Sequence, residues 1–138
     1  MSIDNTRIIN ADPHGRITLQ GYDPVAFHVD GKAMKGDPSI AAEYLEYRYL
    51  FSSDANKAMF EKQPEIYLPA YGGYCAYGVS IDVLAPVEID TWEIIDGRVV
   101  LQFSQGAKQK FAERAAENIR KADDNWSRLE AQLDSESI

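Results

Sequence analysis

A single cysteine, a shortage of basic residues and the absence of long apolar runs set the first limits on this chain. Cys75 has no partner for an internal disulfide, so nothing in the sequence demands an oxidising compartment. Lysine and arginine number 14 against 22 acidic residues, a formal charge of −8. That balance argues against nucleic-acid binding, which normally needs a clustered basic surface to neutralise phosphates. Lys108, Lys110, Arg114, Arg120 and Lys121 do gather in the C-terminal third, but Glu113, Glu117, Asp123 and Asp124 are interleaved with them, the pattern of a solvated helix face. No apolar run approaches the roughly 20 residues that span a bilayer, so no membrane role is expected. The opening Met1-Ser2-Ile3-Asp4-Asn5 lacks a basic stretch followed by an apolar one. The expected location is therefore cytoplasmic, or periplasmic had a leader been removed.

Familiar catalytic patterns are lacking too. Asp82, Glu88, Asp90, Glu93 and Asp96 are scattered and form no acid/base or metal motif. Ser52-Ser53 has no histidine at a suggestive spacing, and no lysine accompanies Tyr71-Gly72-Gly73-Tyr74 as a phosphate-cradling loop would need. An enzyme of known mechanism therefore gains no support, although a constellation assembled in space need not show in sequence.

What is present is enough for one self-supporting domain: 138 residues, 45% apolar, with eight tyrosines, five phenylalanines and two tryptophans. Residues 1–18 read as an extended lead-in with room for one short strand. Asp23-Pro24 suits a turn, after which Val25 to Val29 reads as a short strand ended by Asp30-Gly31. Gly36-Asp37-Pro38 should start a short helix or a loop. Tyr44 to Phe51 alternates as a strand, with Leu45, Tyr47, Tyr49 and Phe51 on one face. Ser52-Ser53-Asp54 can cap a helix that runs to about Gln63, stops at Pro64 and buries Ala55, Met59 and Phe60, with Ile66, Tyr67 and Leu68 packed beside it.

Trp92 to Ile95 and Arg98 to Phe103 flank Asp96-Gly97, a favoured two-residue hairpin turn. Ser104 caps a long final helix whose Phe111, Ala115, Ile119, Ala122, Trp126, Leu129 and Leu133 share one side. Asp123-Asp124-Asn125 is where a kink or break would fall, and residues 134–138 should fray. The expected fold class is α+β: a small antiparallel sheet, a short central helix and a long C-terminal helix packed on it.

The segment Tyr71-Gly72-Gly73-Tyr74-Cys75-Ala76-Tyr77-Gly78 concentrates aromatic rings and glycines around the one thiol. It is poor helix and poor strand, and should form a shaped loop. Tyr71, Tyr74 and Tyr77 could line a pocket there, engage a partner, or simply pack the loop onto the domain. Cys75 reads either as a thiolate ligand or redox nucleophile, or as a small buried hydrophobe. No lysine or arginine lies within ten residues of it to lower its pKa. His28 should point away from Phe27, toward solvent or a cleft. His14, beside Pro13 and Gly15, reads as a plain loop histidine.

Several ordered motifs resemble the YHS domain family: Gly21-Tyr22-Asp23-Pro24-Val25-Ala26, then Tyr47-Arg48-Tyr49-Leu50-Phe51-Ser52-Ser53, then Phe60, Pro64 and Tyr67. Tyr71-Gly72-Gly73-Tyr74-Cys75-Ala76, Trp92-x-x-x-Asp96-Gly97 and Ala122-Asp123-x-Asn125-Trp126 resemble a longer subgroup of that family, so the likeness spans residues 19–130. It implies a YHS-like domain over residues 19–133. Metal-associated members carry cysteines at the positions matching Ala26, Ser52 and Asn56. Those residues offer soft metals little, so that thiolate site is lacking in this chain.

Three readings of function follow. In the first, the chain is a non-enzymatic YHS-like binding domain with a cleft between the Tyr71–Gly78 loop and the Asp23–His28 strand. Tyr71, Tyr74, Cys75, Tyr77 and Asp23 would contact a small ligand, or Cys75 and His28 would hold a transition metal ion such as copper or zinc. In the second, it is a protein-interaction or self-association module, a homo-oligomer among the outcomes. The third is a redox protein built on Cys75.

Overall fold

Asp23 decides how the first third of the chain folds. The computed structural model describes residues 9–136, with side chains as far as residue 132. Asp23 is fully buried, and its Oδ1 accepts the N–H groups of Val25 at 2.7 Å and Ala26 at 3.1 Å. A carboxylate that satisfies these free N–H groups, followed by a proline already at helical φ, starts a helix. Val25–Val29, expected as a strand, is accordingly the short helix α1 (Ala26–Val29). Oδ2 of the same carboxylate accepts the N–H and hydroxyl of Ser52, both at 2.8 Å, and the amide of Asn56 at 2.9 Å. One side chain thus ties α1 to the segment that follows the first hairpin.

That hairpin is β1 (Asp37–Tyr44) and β2 (Tyr47–Phe51), antiparallel, with Tyr44 opposite Tyr47. Two expectations are corrected. The stretch after Gly36 is strand, neither helix nor loop, and the strand expected over Tyr44–Phe51 is interrupted by a turn at Leu45-Glu46. Both turn residues take positive φ, 51° and 72°, so non-glycine residues adopt the conformation a tight hairpin requires. Gly36 has no alternative residue: an added Cβ would lie 2.5 Å from the Leu50 backbone.

Ser53 caps α2 (Asp54–Lys62) by accepting the Asn56 N–H, and Pro64 opens the following turn of helix, α3 (Pro64–Tyr67). The buried face of α2 is Asn56 and Phe60, whereas Ala55 and Met59 face solvent, against expectation. The pull of Asp23 on Asn56 explains the rotation. Beyond it, Tyr67 is buried and Ile66 is exposed.

The second half holds α4 (Ala76–Ser80) and a hairpin of β3 (Glu88–Ile95) and β4 (Arg98–Gln102), turned at Asp96-Gly97 as its sequence suggests. Ser104 caps α5 (Gln105–Glu113) through the Ala107 N–H. The chain breaks at Arg114 (φ −140°, ψ 55°) before α6 (Ala115–Glu136). The break therefore precedes Asp123-Asp124-Asn125, which stay helical and make tertiary bonds instead. Asn125 donates to the Val79 carbonyl at 2.7 Å, and Asp123 joins Tyr71 and Arg98.

The fold is therefore α+β, with two separate two-stranded antiparallel ladders and a long C-terminal helix. The core follows this division. Val25, Tyr49, Phe51, Phe60 and Tyr67 fill the first hairpin's side. Phe27 and Cys75 meet Val87, Ile89, Val99 and Leu101 from the second. Val100, Phe111 and Ala122 pack with Ala70, Tyr71 and Val79 under α6. Ile119 and Trp126 are only half-buried there. Of the lead-in, residues 1–8 fall outside the described residues, while Ala11 pairs with Thr18 and Ile17 with Arg48. The tail expected to fray is helical as far as Glu136, and residues 137–138 lie outside the described ones. Among the described residues no helix is long and apolar enough to cross a membrane.

Candidate functional site

Two three-residue turns, each left-handed throughout, contribute to the wall of one cleft, the first with all three residues and the second with Gly73. One is Leu19-Gln20-Gly21, with φ of 55°, 54° and 86°. The other is Tyr71-Gly72-Gly73, with φ of 56°, 60° and 83°. A left-handed conformation costs an L-residue on the order of 1–2 kcal/mol, so Leu19, Gln20 and Tyr71 hold strain that the surroundings must fix. Hydrogen bonds do so: Gly21 N–H to Thr18 O, Tyr22 N–H to Leu19 O, and Tyr74 N–H to Tyr71 O. Asn10 bridges to the second turn, its backbone N–H on Gly72 O at 2.9 Å and its amide on Gly73 O at 3.2 Å.

The cleft has a volume of about 510 Å³, and Leu19, Gln20, Gly21 and Gly73 line it with Lys35 and Asp12. Ile17, Pro38, Leu50 and Val87 give it an apolar floor. Lys35 Nζ donates to Gln20 O at 3.3 Å and sits 5.0 Å from the centre of the Tyr22 ring, with no carboxylate paired to it among the described residues. Asp12 accepts the N–H groups of His14 and Gly15, which hold its carboxyl below the usual range. Asn10, Leu19 and Gly73 also line a neighbouring cavity of about 150 Å³, enclosed by Tyr44, Tyr47, Tyr49, Tyr71 and Trp126.

The residues expected at the site divide between this region and others. Tyr71 is buried, donates to Asp123 Oδ1 at 2.9 Å and lies under the Arg98 guanidinium, 5.3 Å from its ring centre. Burial, reinforced by that carboxylate, raises the Tyr71 phenol above its ordinary pKa. Tyr74 is half-buried and reaches the Ile9 carbonyl at 3.5 Å, its phenol likewise raised by burial. Asp23 has no solvent exposure and spends both carboxylate oxygens on internal bonds. It gathers Ala26, Ser52 and Asn56 around one carboxylate, so the three positions singled out by the family resemblance do converge, on hydrogen bonds.

Cys75 is 1% exposed. Its Sγ accepts the Gly78 N–H at 3.4 Å, capping α4, and lies 3.4 Å from Gln102 Oε1. The Gln102 side chain also accepts the Tyr77 N–H at 2.9 Å, while its Nε2 is buried without a partner. His28 packs edge-on against Tyr67, 5.4 Å between ring centres, with its Nε2 buried and unpaired. Burial lowers its pKa. Cys75 belongs to the core cluster around Phe27, whereas Tyr67, the ring partner of His28, belongs to that of the first hairpin. Among the described residues no three histidine, cysteine, aspartate or glutamate side chains group as a metal ion would need.

Lys35, Asn10 and the Leu19–Gly21 turn escaped the sequence reading. The double glycine at Gly72-Gly73 signalled one left-handed turn, but nothing in Leu19-Gln20 signals the other. No family model, curated protein or solved structure matches the chain.

Proposed function

We propose that this chain is a YHS-like binding domain that takes a compact organic anion in the cleft between the two left-handed turns. The observation that carries the reading is the strain itself. Two non-glycine residues, Leu19 and Gln20, are held left-handed in the wall of a cleft of about 510 Å³, beside a lysine with no carboxylate partner among the described residues. Strain of this kind clusters where a backbone is shaped for a ligand. The volume falls within the range of small-molecule sites, about 300–1,000 Å³. Ile17, Leu50 and Val87 would cover an apolar ring, Lys35 would meet the negative charge, and Asn10 and Gln20 would accept hydrogen bonds through their side-chain oxygens. The family resemblance agrees with a binding role and names no ligand. Cys75 and His28 do not enter this reading.

Anilinonaphthalenesulfonate has the required features, namely fused rings, an N–H donor and one anionic group, and its fluorescence reports binding. Wild type should bind it saturably. Lys35→Met should weaken binding by about two- to fivefold, as expected for loss of one exposed charge pair. Ala11→Trp, which fills the cleft from its rim, should abolish the high-affinity phase. Unchanged binding by Ala11→Trp would remove the cleft as the site.

A further inference from the structure

A second groove shares no lining residue with the cleft between the left-handed turns. Ile81, Val83 and Phe103, which line it together, are 56%, 48% and 54% exposed, an unusual concentration of large apolar side chains at one place. Ile81, Val83 and Phe103 wall a groove of about 400 Å³ whose floor is made of small residues, Cys75, Gly78, Ala85, Gly106 and Ala107. The exposure is imposed by fixed structure. Val83 N–H and Ile81 N–H both bond to Gly78 O, Cys75 N–H bonds to Ala85 O, and Asp82 is held by Arg128 of α6 at 2.7 Å. An added Cβ at Gly78 would lie 2.8 Å from the Val83 carbonyl, so only glycine allows the loop to close over α4 at this distance.

The polar groups of the groove say what could fill it. The backbone N–H groups of Cys75, Ile81 and Val83 are used internally, and the Ser104 hydroxyl is used by Ala107 N–H. Polar side chains with no such partner are found at one end, where Tyr77 and Lys110 line both the groove and an adjoining basin of about 390 Å³. In that basin Glu117 is matched by Arg114 at 3.8 Å and Lys121 at 3.4 Å, Glu113 stands alongside, and Lys110 pairs with no carboxylate among the described residues. A peptide carries polar atoms along its whole length and would find few partners here. A ligand with polar atoms at one end alone fits.

We propose that this groove binds a medium-chain fatty carboxylate, the acyl chain between Phe103 and Ile81–Val83 and the carboxylate at Lys110 and Tyr77. The site is separate from the cleft between the left-handed turns, and Ala11→Trp should leave it intact. Decanoate and decanol, titrated calorimetrically below their aggregation thresholds, test it. Wild type should bind decanoate saturably. Lys110→Met should weaken decanoate by about two- to fivefold and leave decanol unchanged. Phe103→Ser, a surface change that spares the core, should weaken both by about tenfold or more, since it removes one large apolar contact. Ala107→Phe should block both. No saturable binding by wild type, or equal binding by wild type and Phe103→Ser, overturns the proposal. So does sedimentation showing a dimer that Phe103→Ser dissolves and decanoate does not, which would assign the face to a second copy of this chain.

Discussion

Asp23 illustrates how one residue can matter more than its chemistry advertises. A buried carboxylate surrounded by donors resembles a ligand site, yet each of its oxygens is occupied by the protein's own N–H and O–H groups. Hydrogen bonds to a charged group contribute about 1.5–3 kcal/mol each, and stranding a buried donor costs about 1–3 kcal/mol. Asp23→Ala leaves the N–H groups of Val25, Ala26 and Ser52 unpaired in the interior, so a loss of at least about 3 kcal/mol in a urea melt is expected. A variant as stable as wild type would show that these bonds are dispensable.

His28 gives a second prediction at this scale. Its folded pKa lies below the ordinary 6.5 because burial disfavours the imidazolium. The unfolded chain therefore takes up the proton first as pH falls. The stability linked to His28 is complete above pH 6.5 and is lost as pH drops from there through the lower folded value. Melting temperatures between pH 7.5 and 5 should decline, and His28→Gln should flatten that decline. Asp12, Asp37 and Glu65, whose carboxyls are held low by hydrogen bonds, act in the same direction but only in the acid range of carboxylates. An unchanged slope in His28→Gln would mean that other groups set the neutral-range dependence.

Among the elements, α6 is joined to the rest of the fold by polar bonds as well as apolar packing. Asp123 receives Tyr71 and Arg98, Asn125 reaches Val79 O, and Arg128 holds Asp82. Trp126 meets Tyr71 edge-on at 6.3 Å and is only half-buried. Trp126→Ala should accordingly cost about 1.5–3 kcal/mol, below the 3–5 kcal/mol of a fully enclosed ring. A thermal melt of the variant checks this. The legibility of the sequence was uneven at this scale. Caps at Ser53 and Ser104 and the Asp96-Gly97 hairpin were readable because each depends on a few adjacent residues with strong preferences. Helix α1 was misread because Asp-Pro suits a turn as well as a helix start, and the bonds of Asp23 Oδ1 to the N–H groups of Val25 and Ala26 decide for the helix. The Leu45-Glu46 turn was hidden because neither residue favours positive φ. The break at Arg114 was likewise silent, since Phe111 and Ile119 keep the spacing of an unbroken helix.

For the whole molecule, the stretch of tyrosines and glycines expected as one shaped loop is instead a 3-10 turn over Ala70–Gly73 followed from Ala76 by α4, because the Cys75 sulfur caps the Gly78 N–H. It is a junction more than a single site. Gly73 lines the cleft, Tyr71 to Gly73 line the aromatic cavity, and Cys75, Tyr77 and Gly78 border the groove beside Phe103. Its importance could be seen in composition, while the identity of its opposite walls depended on chain pairing across tens of residues. Lys35, for instance, reaches the cleft because Gly36 N–H bonds to Gly21 O and Asp23 N–H to Met34 O. Cys75, sealed at 1% exposure, should react with a thiol-specific disulfide reagent far more slowly in the native protein than in urea. Fast native labelling would restore the case for a reactive thiol.

The division into two ladders has a consequence for how strand edges of this chain could meet those of a second copy. A pair of strands has no interior member, so each strand exposes one flank to whatever strand it meets. The flank of β2 is taken by Ile17, and that of β4 by Cys75, through single parallel bridges. Those of β1 and β3 have no such cover among the described residues, and these are the strands whose pairing slips, between Asp37 and Ala41 and between Glu88 and Glu93. Pro38 in the one and Glu88, Asp90 and Glu93 in the other add a missing donor and repulsive charge. Ironing out either irregularity by deletion would offer a straighter template for strand pairing with a second copy.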